Sequence, residues 1–251
     1  MKVEYKLYAK VFLKGKIEVL TGLTIGGSAE DVAIGGIDNN VIKTTEGAPY
    51  IPGSSLKGKI RSLLEKKEGK NICGCGEADC DICAIFGTGA SQNVNSGPTR
   101  FSARDAHLTL ETKNMMENKE GIFEGLELTY TESKFENTID RQTSKARNPR
   151  QTERVPAGAE FDFDMVFNIM CEEDLERFKE LIVGLRLLED DYLGSSGSRG
   201  YGRIKFKNLD IGFKTPSEYE TDNEEINIFT GELDEFTFED IRPHLAEEIE
   251  W

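Results

Sequence analysis

Apolar and polar positions alternate most clearly over residues 5–20. Tyr5, Leu7, Ala9, Val11 and Leu13 fall on one face, with mostly polar neighbours between them. A period of two is that of a half-buried strand. Gly22, Gly26 and Gly27 end the pattern, and 28–53, with Gly35, Gly36 and two Pro, reads as loop. The spacing then turns helical over 54–67, where Leu56, Ile60, Leu63 and Leu64 share a face and Ser54 or Ser55 is the expected cap. Residues 68–98 are a Cys- and Gly-rich excursion. A strand is expected over 99–111 through Phe101, Ala103, Leu108 and Leu110, followed by a polar stretch, 112–157, without a clear core period. Alternation returns over 160–170 through Phe161, Phe163 and Phe167. Residues 172–190 carry the best apolar stripe, made of Leu175, Phe178, Leu181, Ile182, Leu185 and Leu188. A last strand is expected over 202–213.

The order strand, helix, strand, strand, helix, strand is the α+β, ferredoxin-like (RRM-like) βαββαβ pattern. It predicts one domain over 1–216, with insertions at 68–98 and 112–157, and a tail over 217–251. The open sheet face of this fold commonly carries RNA, although a fold by itself assigns no function.

Charge changes the picture. The 251 residues carry a net −15, which argues against a nucleic-acid partner until its distribution is seen. The 217–251 segment holds thirteen acidic residues and one Arg, so the remainder sits near neutrality. Within that remainder, 54–70 has six basic and two acidic residues, and 133–154 has six basic and three acidic. Both read as local basic patches. No run of 18 apolar residues marks a membrane span. The opening residues alternate instead of forming an apolar signal core, so a cytoplasmic protein is expected.

Five features carry candidate chemistry. Cys73, Cys75, Cys80 and Cys83 lie in the pattern Cys-x-Cys-x4-Cys-x2-Cys, close enough to wrap one tetrahedral Zn²⁺ with no position left for water, hence a structural ion; free loop thiols are the plain alternative. Residues Gly53 to Lys59 match a P-loop until Ile60 stands where Ser or Thr should bind Mg²⁺. They read better as a helix N-terminus at which Lys57, Lys59 and Arg61 hold a phosphate, or as a solvated basic face. Lys134, Arg141, Lys145, Arg147, Arg150 and Arg154 stud a polar segment that suits a projecting hairpin along a phosphate backbone, or a flexible surface loop. The run 194–202, Gly-Ser-Ser-Gly-Ser-Arg-Gly-Tyr-Gly, allows close backbone approach; Ser198, Arg199 and Tyr201 stand in it, the Arg suited to a phosphate and the Tyr to a stacked base. Asp38, after Gly35-Gly36-Ile37, is displayed without a nearby cation and suits a metal ligand or a proton acceptor; a turn Asp is the commoner explanation. With only His107 and His244 present, no Cys/His or Ser/His nucleophile set stands out.

Taken together, the chain resembles the repeat-associated mysterious protein (RAMP) superfamily, and within it the backbone subunits of type III-A CRISPR effector complexes. The resemblance rests on Thr21 to Gly27 with Ile37-Asp38, on Ile51 to Arg61, on Tyr130 to Arg154 with its Phe-Glu-Asn-Thr-Ile-Asp-Arg centre, and on Asp191 to Gly202. It implies a filament of copies along CRISPR RNA, alongside the other subunits of the complex. A hairpin thumb from each copy would interrupt the pairing with complementary target RNA. It also implies a metal-dependent endoribonuclease using Mg²⁺ or Mn²⁺, with Asp38 at the catalytic position. Thr24 stands where some relatives carry His. Neither the four-Cys loop nor the acidic 217–251 segment belongs to the general pattern. A purely structural RNA-binding subunit is the alternative.

Overall fold

The computed structural model describes residues 5–27, 39–89, 95–221, 223–239, 242, 243, 245 and 249. Its strands are β1 Ala9–Val19, β2 Tyr50–Ile51, β3 Phe101–Ala103, β4 Ala106–Leu108, β5 Glu132–Ile139, β6 Ala146–Arg154, β7 Glu160–Ile169, β8 Ile204–Lys214 and β9 Ile226–Gly231. The helices are α1 Gly53–Lys67, α2 Asp81–Phe86, α3 Leu110–Asn118, α4 Asp174–Asp190 and α5 Pro216–Glu220. Seven strands form one antiparallel sheet in the order β2-β4-β7-β1-β8-β9, with β3 also paired to β7; β5 and β6 form a separate two-stranded ribbon.

β1 lies at the centre because its alternation is satisfied from both sides. Val11 pairs with Phe167 of β7 and Phe213 of β8, and Ile17 with Phe161 and Phe206. These side chains are fully buried, each worth roughly 1.5–3 kcal/mol relative to exposure. The apolar stripes of α1 and α4 cover the core, where Phe178 meets Phe167 at 5.5 Å between ring centroids. The two helices also touch each other. A Cβ on Gly184 of α4 would sit 2.6 Å from Ile60 Cγ2 of α1, so only glycine admits this approach.

The structure departs from the periodicity in three places. The strand expected over 99–111 is broken at Arg104 and Asp105 into β3 and β4, both paired with β7. Asp105 turns out of line there to accept a hydrogen bond from the Gly53 amide at 2.8 Å. That bond serves the start of α1, whose N-cap position is Pro52 and has no side-chain cap; neither Ser54 nor Ser55 fills that role. The polar stretch after 112 conceals α3, which is capped by Thr109 accepting from the Thr112 amide at 3.1 Å and buries Met116. Finally, the described part of the acidic 217–251 segment is built into the fold. β9 extends the sheet beyond β8, and Leu233, Phe236 and Phe238 are buried. Arg186 of α4 donates to the carbonyls of Leu233 and Phe236, holding this strap in place. Among the described residues, no helix is long and apolar enough to cross a membrane.

Candidate functional site

Three segments that are distant in sequence converge at the root of the β5–β6 ribbon. Asp38 lies outside the described residues, but its neighbour Asn39 bridges to Thr152 of β6, and the Glu153 amide donates to the Asn39 carbonyl at 3.0 Å. The Glu153 carboxylate, 1% exposed, accepts from the Val41 amide at 3.0 Å, from Lys43 Nζ at 2.6 Å and from the Thr131 hydroxyl at 2.6 Å. Burial alone would push this carboxyl up. The hydrogen bonds from Lys43, Thr131 and Val41, with the Lys43 charge, outweigh that and hold it below its ordinary range. One buried anion on β6 therefore ties Val41 and Lys43 to Thr131, the residue before β5. Thr24 joins the same knot, its hydroxyl donating to the Glu153 carbonyl at 2.8 Å.

The glycine run closes the junction from the other side. Ser195 donates its amide to the Thr24 carbonyl at 2.9 Å, and Gly202 donates to the Gly22 carbonyl at 3.0 Å. Gly202 has φ +73°, and a Cβ there would lie 2.0 Å from the Leu193 carbonyl oxygen. Tyr201 is buried beneath the ribbon, with Lys134 Nζ 4.6 Å and the Arg154 guanidinium 5.3 Å from its ring centroid. The ring is thus already in contact with cations of the chain itself. The Tyr201 hydroxyl is buried and makes no hydrogen bond of ordinary geometry. Burial first, and then the Glu136 carboxylate, push the phenol above its usual range. Ser198 and Arg199 lie on an exposed 3₁₀ turn, Gly197–Arg199, at the mouth of this junction.

The basic helix is arranged differently from a free phosphate-binding face. Lys57 donates to the Phe101 carbonyl at 2.8 Å, and burial, followed by the Arg61 charge, lowers its amine below the ordinary range. Lys59 pairs with Asp191 at 3.0 Å and lies 3.6 Å from the Tyr192 ring centroid. Arg61 pairs with Glu65 at 2.9 Å and donates to the carbonyls of Gly87, at 3.1 Å, and Cys73. All three cations are committed within the fold.

On the ribbon, Arg154 pairs with Glu132 at 2.6 Å, Arg150 with Glu136 at 2.8 Å and Arg147 with Asp140 at 3.0 Å. Arg150 holds the Glu136 carboxyl below its usual range, and the amides of Thr143 and Gln142 do the same for Asp140. Arg141 and Lys145, at the tip, are exposed and have no ion pair among the described residues. Two further residues of the ribbon, not counted among the expected site residues, are apolar and exposed: Phe135 and Ile139, at 71% and 64%. Their i, i+4 positions on one strand face were visible in the sequence, but only the hairpin geometry shows that nothing covers them.

The four cysteines come together. Sγ–Sγ distances are 3.9 Å for Cys73–Cys75, 3.5 Å for Cys73–Cys80, 3.8 Å for Cys73–Cys83 and 3.7 Å for Cys75–Cys83. A tetrahedron with metal–sulfur bonds of about 2.3 Å has an edge of about 3.8 Å. A disulfide would bring two sulfurs to about 2.05 Å, and all four remain free thiols. Burial pushes Cys80 up to about 12 and raises Cys83, so a bound cation is what would stabilise these thiolates. Among the described residues this is the one cluster of His, Cys, Asp or Glu side chains that fits a single ion.

The RAMP superfamily model matches residues 16–205, which span the junction, the cysteine cluster and the ribbon. The chain belongs to the RAMP superfamily. It is 49% identical over 229 residues to the CRISPR system Cms endoribonuclease Csm3 of Methanocaldococcus jannaschii, covering 87% of this chain and 86% of that one. It is 43% identical over 223 residues to the protein of the same name in Methanothermobacter thermautotrophicus, covering 82% and 87%. In three dimensions it resembles a chain of the crystallographic Csm3–Csm4 subcomplex of the type III-A CRISPR-Cas interference complex. That match has a TM-score of 0.61 and 36% identity, and covers 98% of each chain.

Proposed function

We propose that this chain is a CRISPR RNA-binding backbone subunit of a type III-A effector complex and cleaves complementary target RNA as an endoribonuclease, in antiviral defence. The observation that carries this reading is identity of up to 49% across most of the chain to endoribonucleases of that system. The partners are CRISPR RNA, target RNA, further copies of the chain in a filament, and the other subunits of the complex; the setting is the cytoplasm. The strand order β8-β1-β7-β4 supports a ferredoxin-like core. The β5–β6 ribbon is the thumb, and the four-Cys loop holds a structural Zn²⁺.

Catalysis is assigned to Asp38. Its support is the pinning of Asn39 to the thumb root, where a nucleotide displaced by the thumb would lie. The RNA brings its own nucleophile. Asp38 accepts the proton of a 2′-hydroxyl, whose oxygen attacks the adjoining phosphorus as the 5′-oxygen departs and takes up a proton. This leaves a 2′,3′-cyclic phosphate. A divalent ion, Mg²⁺ or Mn²⁺, would supply neutralisation of the charge building on that phosphate, with binding of that ion as the alternative role of the Asp38 carboxylate. The exposed cations at the thumb tip, with Arg199, hold the backbone.

Asp38→Asn in the assembled complex tests the assignment, because it keeps size and removes charge. Loss of a positioned base costs roughly 10²–10⁴ in rate, so target cleavage should become undetectable while guide and target binding persist. Wild-type cutting with unchanged product spacing would make Asp38 a turn residue and leave the chain a structural filament subunit at this site.

A further inference from the structure

The loop bearing the four thiols joins the main core through α2, where Ile82, Cys83, Ile85 and Phe86 are buried. The backbone around its sulfurs is held in addition by polar groups that are not ligands. Two grips are visible, from two different helices.

The first comes from α1. Glu65 Oε1 accepts from the Cys73 amide at 3.0 Å and from Arg61 Nε at 2.9 Å. Arg61 Nη2 donates to the Cys73 carbonyl, and Nη1 donates to the Gly87 carbonyl at 3.1 Å. Cys73 is the first thiol of the cluster and Gly87 follows directly on α2, so one guanidinium fork fixes both ends of the span that carries every sulfur. The second grip comes from α4. Arg177 Nε donates to Asp81, the first residue of α2, at 2.8 Å, while its Nη1 is held at 2.8 Å by the fully buried Asp174. Cys80 and Cys83 flank Asp81, so this grip sets the other half of the cluster.

We infer that Arg61 and Glu65 on α1 and Arg177 on α4 are positioning residues for the four-thiolate metal centre, and that the bound ion in turn fastens α1 to α4. The inference rests on the metal reading of the four cysteines. It also gives Arg61 a task other than holding RNA. A guanidinium suits this place because its planar fork reaches two carbonyls and a carboxylate at once, which an ammonium does not.

The test is Co²⁺ uptake by the reduced full-length chain, followed by its thiolate-to-metal charge-transfer band, with Zn²⁺ affinity then read by chelator competition. Arg61→Ala and Glu65→Gln should each weaken metal affinity about 10–100-fold, the usual cost of losing an outer-shell partner. The Co²⁺ spectrum should remain that of a tetrahedral all-thiolate site, since no ligand is removed. If Arg61→Ala does not purify folded, Arg61→Lys and Glu65→Gln, which keep side-chain bulk, carry the test. Arg177→Lys should weaken affinity less, because Asp81 is about half exposed. Affinity within about twofold of wild type in the Arg61 and Glu65 variants overturns the clamp alone. A wild-type chain that develops no charge-transfer band overturns the clamp and the metal reading together.

Discussion

The two basic segments look alike in sequence, six cations each over 54–70 and 133–154, and the fold uses them in opposite ways. On α1 the leading cations turn inward. Lys57 reaches a β3 carbonyl, Lys59 lies on Tyr192, and Arg61 ties down the cysteine loop. On the thumb, Lys134 and Arg154 lie against Tyr201 at the root, while farther out Arg150 and Arg147 pair with carboxylates across the ribbon and the tip cations Arg141 and Lys145 have no ion pair among the described residues. Exposed pairs of this kind are worth about 0–1 kcal/mol, so a phosphate can replace the carboxylate at little cost. The inward cations hold elements together through backbone carbonyls, an aromatic ring and carboxylates within the fold. Counting charges along a chain therefore locates potential contacts without saying which are free to be used.

The largest effect that could break this contrast is on RNA affinity. Replacing Arg141, Lys145, Arg147 and Arg150 together with Ala removes four thumb contacts. The plot of log K against log salt for the assembled subunits should become shallower by about 3, at roughly 0.7 per single-strand contact. The loss should be alike for every guide sequence, because backbone contacts carry no base information. Lys57→Ala should leave that slope unchanged and instead lower stability by about 1 kcal/mol, the worth of a typical hydrogen bond. Equal loss of slope in the two variants, measured by titration at several salt concentrations, would erase the distinction.

Next in size is the root of the thumb. Glu153→Ala strips the partner from the Val41 amide, Lys43 and the Thr131 hydroxyl at once. We expect a loss of about 2–3 kcal/mol in denaturant unfolding, in line with leaving buried donors unpaired. The depressed carboxyl also fixes a pH dependence. A group whose pKa is lower folded than unfolded stabilises the fold above the unfolded value, about 4.3 for Glu, and that contribution drains away as pH falls through the folded one. The wild type should thus lose stability in acid more steeply than Glu153→Gln, whose amide does not titrate. Parallel acid profiles would show that Glu153 carries no special load.

Much of the frame was legible in the sequence, because it depends on local period: β1, α1, β7, α4 and β8 all follow their apolar patterns. So was the cysteine cluster, whose four members lie within eleven residues. What escaped was either masked or long-range. Ile226 and Ile228 sit among acids, so β9 read as tail, and α3 buries too few apolar side chains to show a stripe. The fate of the α1 cations depends on Asp191, Tyr192 and Phe101, far along the chain, and no spacing rule reports such partners. The glycine run was expected to offer Tyr201 to a base; the ring instead lies buried under Lys134 and Arg154.

The smallest expected effect is also the sharpest for the contrast, because it frees a cation without adding one. Glu136 is paired with Arg150 through two hydrogen bonds, at 3.2 and 2.8 Å, on a ribbon that packs no core of its own. In Glu136→Gln the guanidinium loses its competing anion but keeps its place on β6. If the thumb cations work by exchanging a carboxylate for a phosphate, RNA affinity should rise. The gain is bounded by the worth of one exposed ion pair, under about 1 kcal/mol or roughly fivefold. Hairpin stability should fall by a similar small amount, visible as faster amide exchange over β5 and β6. The matching change on α1, Glu65→Gln, should give no gain, since Arg61 would still be held by the carbonyls of Gly87 and Cys73. A gain from Glu65→Gln as large as that from Glu136→Gln would mean that the helix cations are as available to RNA as those of the thumb.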